Sequence, residues 1–247
     1  LLALCLTLGL LPAAAQAAGD GSGTFDTVRW TLDADGGLTV SGTGDLPDSA
    51  FAGRTDIVTV TFTGQVARIG RSAFAGCTQL RRVDGFGAVT CVMSQAFAGC
   101  TALTELAVPG TVTEIGTGAF SACTGLTAVT LAPGVRSLGA YAFAACTALR
   151  RIDLPDGMTL LGSGLFSGCT ALTELPLPDD VAWVEPRLCE NCTALQNIVL
   201  PAAMTEVPRG LLRGCTGLRR VTLQGAVTAV GNGAFAGCDA LADVYFT

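Results

Sequence analysis

No histidine occurs among the 247 residues. Ser-His-Asp and Cys-His catalysis, His-ligated zinc and the commonest general base are excluded together. Charge is scarce as well: Asp, Glu, Lys and Arg make up 14% of the chain and leave a net charge of −6. Affinity for nucleic acid or anionic membranes needs basic clusters, and none is present. Half of the chain is apolar, so a packed core rather than disorder is expected.

The apolar run Leu1–Pro12, followed by small residues and Ala15-Gln16-Ala17, reads as the h-region and cleavage site of a secretory signal. This signal peptide is placed at residues 1–17, without its basic n-region. The run is about half of the ~20 residues that cross a bilayer. No later segment is long and apolar enough to do so, so the mature chain is expected to have no membrane span and to be secreted or exposed at the cell surface.

Cysteine, in contrast, is abundant and regular. Cys77, Cys100, Cys123, Cys146, Cys169, Cys192, Cys215 and Cys238 follow one another at intervals of 23. Three residues after each stands Leu; three before stands Phe, except at Cys189 and Leu212. A worn ninth copy carries Phe51, Arg54 and Ile57 in those places. A fixed period of this length means a solenoid, each coil burying its apolar edge against its neighbours. In the unit 123–146, Leu126–Leu131 alternates and is rich in β-formers, and Pro133-Gly134 turns the chain. Val135 and Leu138 then form a second short extended piece. Gly139 breaks the chain, and a tight turn or one helical turn drives Phe143 and Cys146 inward.

The pattern L-x-x-V-x-L-P-x-x-V-x-x-I-G-x-x-A-F-x-G-C-x-x-L resembles the BspA-like (LRR_5) class of bacterial leucine-rich repeats over roughly residues 50–247. Val28–Asp48 is similar to the hairpin that opens many such proteins, with Trp30/Leu32 and Leu38/Val40 alternating about Asp35-Gly36-Gly37. The expected fold is therefore a mainly β, right-handed leucine-rich-repeat solenoid with short helical turns and 23-residue units. An N-terminal β-hairpin cap (18–49) precedes about nine coils (50–247), which span about 40 Å at strand spacing. There is no Asn at the turn after the strand, so no asparagine ladder is expected. The chain stops inside the first strand of a coil, and further capping sequence is expected beyond Thr247. The resemblance implies a secreted or surface-attached protein serving in adhesion or protein binding, with no catalytic residues and no cofactor. A cell-envelope spacer and the recognition arm of a larger enzyme are the alternatives.

Stacked cysteines in a parallel ladder sit about 4.8 Å apart with parallel side chains, too far for a disulfide. The eight ladder thiols are read as free, structural core fillers. Cys189-Glu-Asn-Cys192 is a C-x-x-C, yet no second pair or His completes a zinc site; Cys189 there replaces the repeat's Phe, or the two form a local disulfide. Cys91 falls on a variable row, so an exposed free thiol is expected. Glycine-rich stretches at 162–168 and 231–237 share one phase of the repeat and open no long helix, which argues against phosphate binding. Asp33–Gly36 lacks the later ligands of a calcium loop. No metal ligand is assigned.

The heptapeptide CTALTEL occurs at Cys100–Leu106 and again at Cys169–Leu175, three units apart. Arg-Arg returns at the same spacing, at Arg81-Arg82, Arg150-Arg151 and Arg219-Arg220, which indicates a duplicated three-unit block. Stacking places Arg82 beside Glu105, Arg151 beside Glu174 and Arg220 beside Asp243 on the outward strand face. The most irregular unit, Pro178–Asn191, puts Trp183 outward next to Leu160, the one place resembling a binding hot spot. These eight residues form the candidate face for a protein or other extended surface ligand, and not for nucleic acid.

Overall fold

The computed structural model describes residues 21–247; the segment expected to be a signal peptide lies outside them. Val28–Leu32 and Gly37–Leu46 form the hairpin, with Leu32 opposite Leu38 and Trp30 opposite Val40. Gly36 closes the turn at φ 81°, where a side chain would be strained. Asp33 Oδ1 accepts the N–H groups of Asp35 and Gly37 at 3.0 and 2.7 Å, so this carboxylate is committed to the turn. A strand the sequence reading omitted, Gly21–Phe25, lies antiparallel along Val28–Leu32. Gly37–Leu46 is also the parallel neighbour of Thr59–Phe62 and, across a bulge at Gly44/Asp45, of Gln65–Ile69. Cap and solenoid thus share one strand.

Each regular coil has three sides. In the coil that starts at Cys123, Ala128–Leu131 is the first strand, with Val129 and Leu131 buried and Ala128 and Thr130 exposed. Ser137–Leu138 is the second, with Leu138 buried. Two linked turns between Gly139 and Cys146 make the third side; no helix occurs among the described residues. All three sides ladder to the next coil through main-chain hydrogen bonds. On the third side, for example, Phe120 N–H donates to Ala142 O at 2.8 Å and Ala122 N–H to Ala144 O at 2.7 Å. These turns need a left-handed residue just before each ladder cysteine. Gly76, Gly99 and Gly168 supply it, whereas Ala122 and Ala145 are held there at φ 57°.

Beside the buried leucines and valines, two columns run through the interior. Phe51, Phe74, Phe97, Phe120, Phe143 and Phe166 stack with ring centroids 5.0–6.1 Å apart and planes within 20°. Phe25 and Trp30 meet Phe51 edge-on, both at 5.6 Å, and so close the open end of the column. Isolated aromatic pairs favour offset or edge-on geometry; here the coil repeat imposes near-parallel rings. The second column is the cysteines. Each ladder thiol donates to the carbonyl oxygen 26 residues earlier, at 3.0–3.3 Å, from Cys77 to Phe51 up to Cys238 to Leu212. No charged or polar side chain is buried among the described residues, so these thiols are the core's side-chain donors.

Candidate protein-binding face

The outward strand row carries the charges. Arg151 bonds Asp153 on its own strand at 2.8 Å and Glu174 on the next coil. The Asp153 hydrogen bond, reinforced by both carboxylate charges, raises the guanidinium above its ordinary value. Arg220 reaches Asp243 at 3.4 Å and lies 5.2 Å from the centre of the Tyr245 ring. Arg82 stands one coil before Glu105, as Thr104 N–H bonded to Arg81 O shows. Its ion pair, however, is to Asp84 two residues on, at 2.7 Å, and the structure shows none between it and Glu105. A partner on the same strand needs no reach across a coil, and Arg82 takes it. Arg81, Arg150 and Arg219 make no ion pair among the described residues.

Trp183 is 51% exposed and Leu160 40%, and they line a common cleft of about 230 Å³ with Thr159 and Asp180. The indole N–H of Trp183 donates to Glu185 at 3.4 Å. Cys91 is less open than its row suggested. It is half-buried, with its sulfur 3.5 Å from that of Met93, and burial, then the Glu114 charge, raises its pKa. All ten described cysteines are free. Cys189 and Cys192 are both fully buried. The hydrogen bond with Cys189, and then burial, hold the Cys192 thiol well above the ordinary range. Cys238, in the last coil, is half-buried.

The coil 169–191 differs from the others in its backbone. Pro176 stands where neighbouring coils carry Thr130, Asp153 and Val199. At Thr130 and Asp153 the main chain pairs with the preceding coil, opposite Ala107 and Thr130. Proline has no N–H to give, and this side keeps only the Arg151–Glu174 bridge and the bond from Thr173 N–H to Arg150 O. Toward the next coil, no main-chain bond joins residues 173–177 to Asn197–Leu200. On the second side Pro208 occupies the place from which Gly162 and Gly231 donate to the coil before, and Ala182–Val184 belong to no strand. The third side is intact: Phe166 N–H donates to Leu188 O at 2.9 Å and Asn191 N–H to Arg213 O at 2.7 Å.

Both sheets therefore end at this coil and restart beyond it. A cleft of about 300 Å³ opens on the strand side, walled by Leu175, Pro176, Leu177, Val199 and Pro201, with Arg151 and Glu174 at its edge. The sequence reading singled out Pro178–Asn191 as irregular and missed this cleft. The signal was Pro176 itself, a proline in the middle of a strand template. The structure thus brings Arg151, Glu174, Leu160 and Trp183 to the two openings of one coil. Arg82 and Glu105 lie toward the N-terminal end of the strand face, Arg220 and Asp243 toward the C-terminal end.

The BspA type leucine rich repeat region matches the chain in six copies, over residues 44–172 and 136–247. No curated protein matches it in sequence. Among solved structures, a leucine-rich repeat protein from Bacteroides ovatus superposes with a TM-score of 0.71 at 23% identity, over 94% of this chain and 70% of that one. The T. pallidum leucine rich repeat protein gives a TM-score of 0.61 at 25% identity, covering 90% of this chain and 92% of its own. A leucine rich cell surface protein from Faecalibacterium prausnitzii gives 0.51 at 19% identity, over 93% and 96%. The repeat match covers the solenoid, and the chain belongs to the BspA-type leucine-rich repeat family.

Proposed function

We propose that this protein is an exported or surface-exposed, non-catalytic module that binds a protein or another extended surface ligand. The observation that carries the reading is the coil 169–191, where an exposed tryptophan and leucine stand beside two clefts. Membership of a family of surface-type repeat proteins supports it, as does the likeness to a protein described as a leucine rich cell surface protein. Side chains repeated along the coils favour an extended ligand, such as a polypeptide, over a small molecule held at one point. The face is charge-balanced, so its arginines act through orientation and encounter rather than as an anion trap.

Immobilised protein presented with extracellular-matrix or bacterial surface proteins tests this. For a partner so captured, Trp183→Ala should weaken binding by about 2 kcal/mol if the indole is an anchor. Arg151→Glu should change chiefly the on-rate and its salt dependence. Both side chains are exposed, so neither change should disturb the fold. Unchanged affinity in both variants, with intact circular dichroism, would favour a purely architectural role for this face.

A further inference from the structure

We infer that the cleft at Pro176 docks an extended polypeptide, which pairs along the free edge of Asn197–Leu200 and seats one uncharged aliphatic side chain. The inference rests on the protein-binding reading above and names the place and chemistry of contact. Three observations carry it. The first is main-chain direction. Along a parallel strand, alternate residues direct their N–H and C=O groups to opposite neighbours. Leu200 O accepts from Gln224 N–H at 3.2 Å, so Ile198 and Leu200 face the following coil and Asn197 and Val199 face the cleft. Neither Asn197 nor Val199 donates to residues 173–177, so this edge of the strand is unpaired. An added strand supplies donors and acceptors in the spacing such an edge needs.

The second observation is the lining. Leu175, Pro176, Leu177, Val199 and Pro201 are apolar, and Val199, on the outward row of its strand, is 46% exposed. At about 300 Å³ the space sits at the lower limit for small-molecule pockets and suits a side chain. The third is charge. The nearest guanidinium, Arg151, is already held by Asp153 and Glu174, and Asp179 adds an acid to the lining. An anionic side chain would meet carboxylates and no free cation there, so the occupant is neutral.

The test is an amide-resolved NMR titration of the full chain with acetyl-Thr-Leu-Thr-Leu-amide, and with acetyl-Thr-Glu-Thr-Glu-amide as the charged counterpart. The Asn197 and Val199 amides should shift and exchange more slowly with solvent as the leucine peptide is added, and the glutamate peptide should bind at least about tenfold more weakly. Pro176→Thr restores an N–H opposite Ile152 O; it should close the cleft, protect Val199 without peptide and remove the response. Val199→Asp, at an exposed position, should weaken the leucine peptide about tenfold without affecting the fold. Shifts confined to other coils, equal binding of both peptides, or no response at peptide concentrations of about 10 mM would each overturn the site. A natural partner bound equally by wild type and Val199→Asp would also overturn it, while leaving the protein-binding reading in place. Peptide seated at Val199 with no natural partner captured would support the site independently of that reading.

Discussion

Alkali should unfold this protein over a narrow range, because one column of its core is made of thiols. Burial raises Cys77, Cys100, Cys123, Cys146, Cys169 and Cys215 above the ordinary value of 9.0, and Cys77 and Cys123 are pushed up to about 12. Below pH 9 both folded and unfolded chains hold these protons, and stability does not depend on them. Above it the unfolded chain releases them while the folded chain keeps them, so the unfolded state binds fewer protons and stability falls as pH rises toward the folded value. Each thiol lowers stability by about 1.4 kcal/mol per pH unit in that window, and the six together by about 8 kcal/mol per unit. Domains have net stabilities of about 5–15 kcal/mol, so the midpoint should fall roughly one to two units above pH 9. Far-ultraviolet circular dichroism against pH, in reductant and at constant ionic strength, measures it. Cys192 is a further buried, raised thiol. Replacing Cys123 and Cys146 together by Ala removes two of these groups and should reduce the pH slope by about a quarter to a third. A protein still folded at pH 12, or a slope unchanged in the double variant, would refute the reasoning.

Four further outcomes are expected. Iodoacetamide should label Cys91 and Cys238 slowly in the native state and the other ladder cysteines only in denaturant; peptide mass mapping reads this, and bridges between neighbouring ladder cysteines would contradict it. Ala145→Gly should stabilise the fold by about 1 kcal/mol by relieving the left-handed residue, and Gly168→Ala should destabilise it by a similar amount, since no atom crowds the new Cβ closer than 3.7 Å. Urea unfolding gives both values. Phe120→Ala, in the middle of the ring column, should cost about 3–5 kcal/mol. Arg151→Ala removes only exposed ion pairs and should change stability by less than about 1 kcal/mol.

What the sequence made legible was everything carried by period and phase. The 23-residue spacing assigned Phe120, Cys123 and Leu126 to the core and Thr130 and Arg151 to the surface, because a coil that stacks on its copies must keep equivalent residues on equivalent sides. Contacts that depend on the offset between coils were not legible. The Cys123 thiol reaches the carbonyl of Phe97 because its side chain leans back one coil, and spacing alone carries no information about that lean. Arg82 and Arg151 share a phase and a motif yet pair differently, since each has several acids in reach and local side-chain conformation decides. Cys91 shares an outward row but is half-covered, because its neighbour is the long, pliable side chain of Met93. Gly21–Phe25 was missed because, with glycines at two of its five places, it has little β propensity of its own and is held by pairing with Val28–Leu32.

The coil 169–191 also has a mechanical meaning. Along most of the solenoid a pull along the axis is resisted by main-chain bonds on three sides of the coil, which share the load. Between Arg82–Asp84 and Glu105–Val108 the strand side keeps only the bond from Thr104 N–H to Arg81 O. At the coil 169–191 the turn side carries nearly all of the load, so the array has a crease: two stiff rods joined along one line, free to flex about that line. Under tension along its axis, such a rod would yield first at the crease. The first rupture in single-molecule pulling should then part the coils at residues 169–191 and leave the stacks on either side intact.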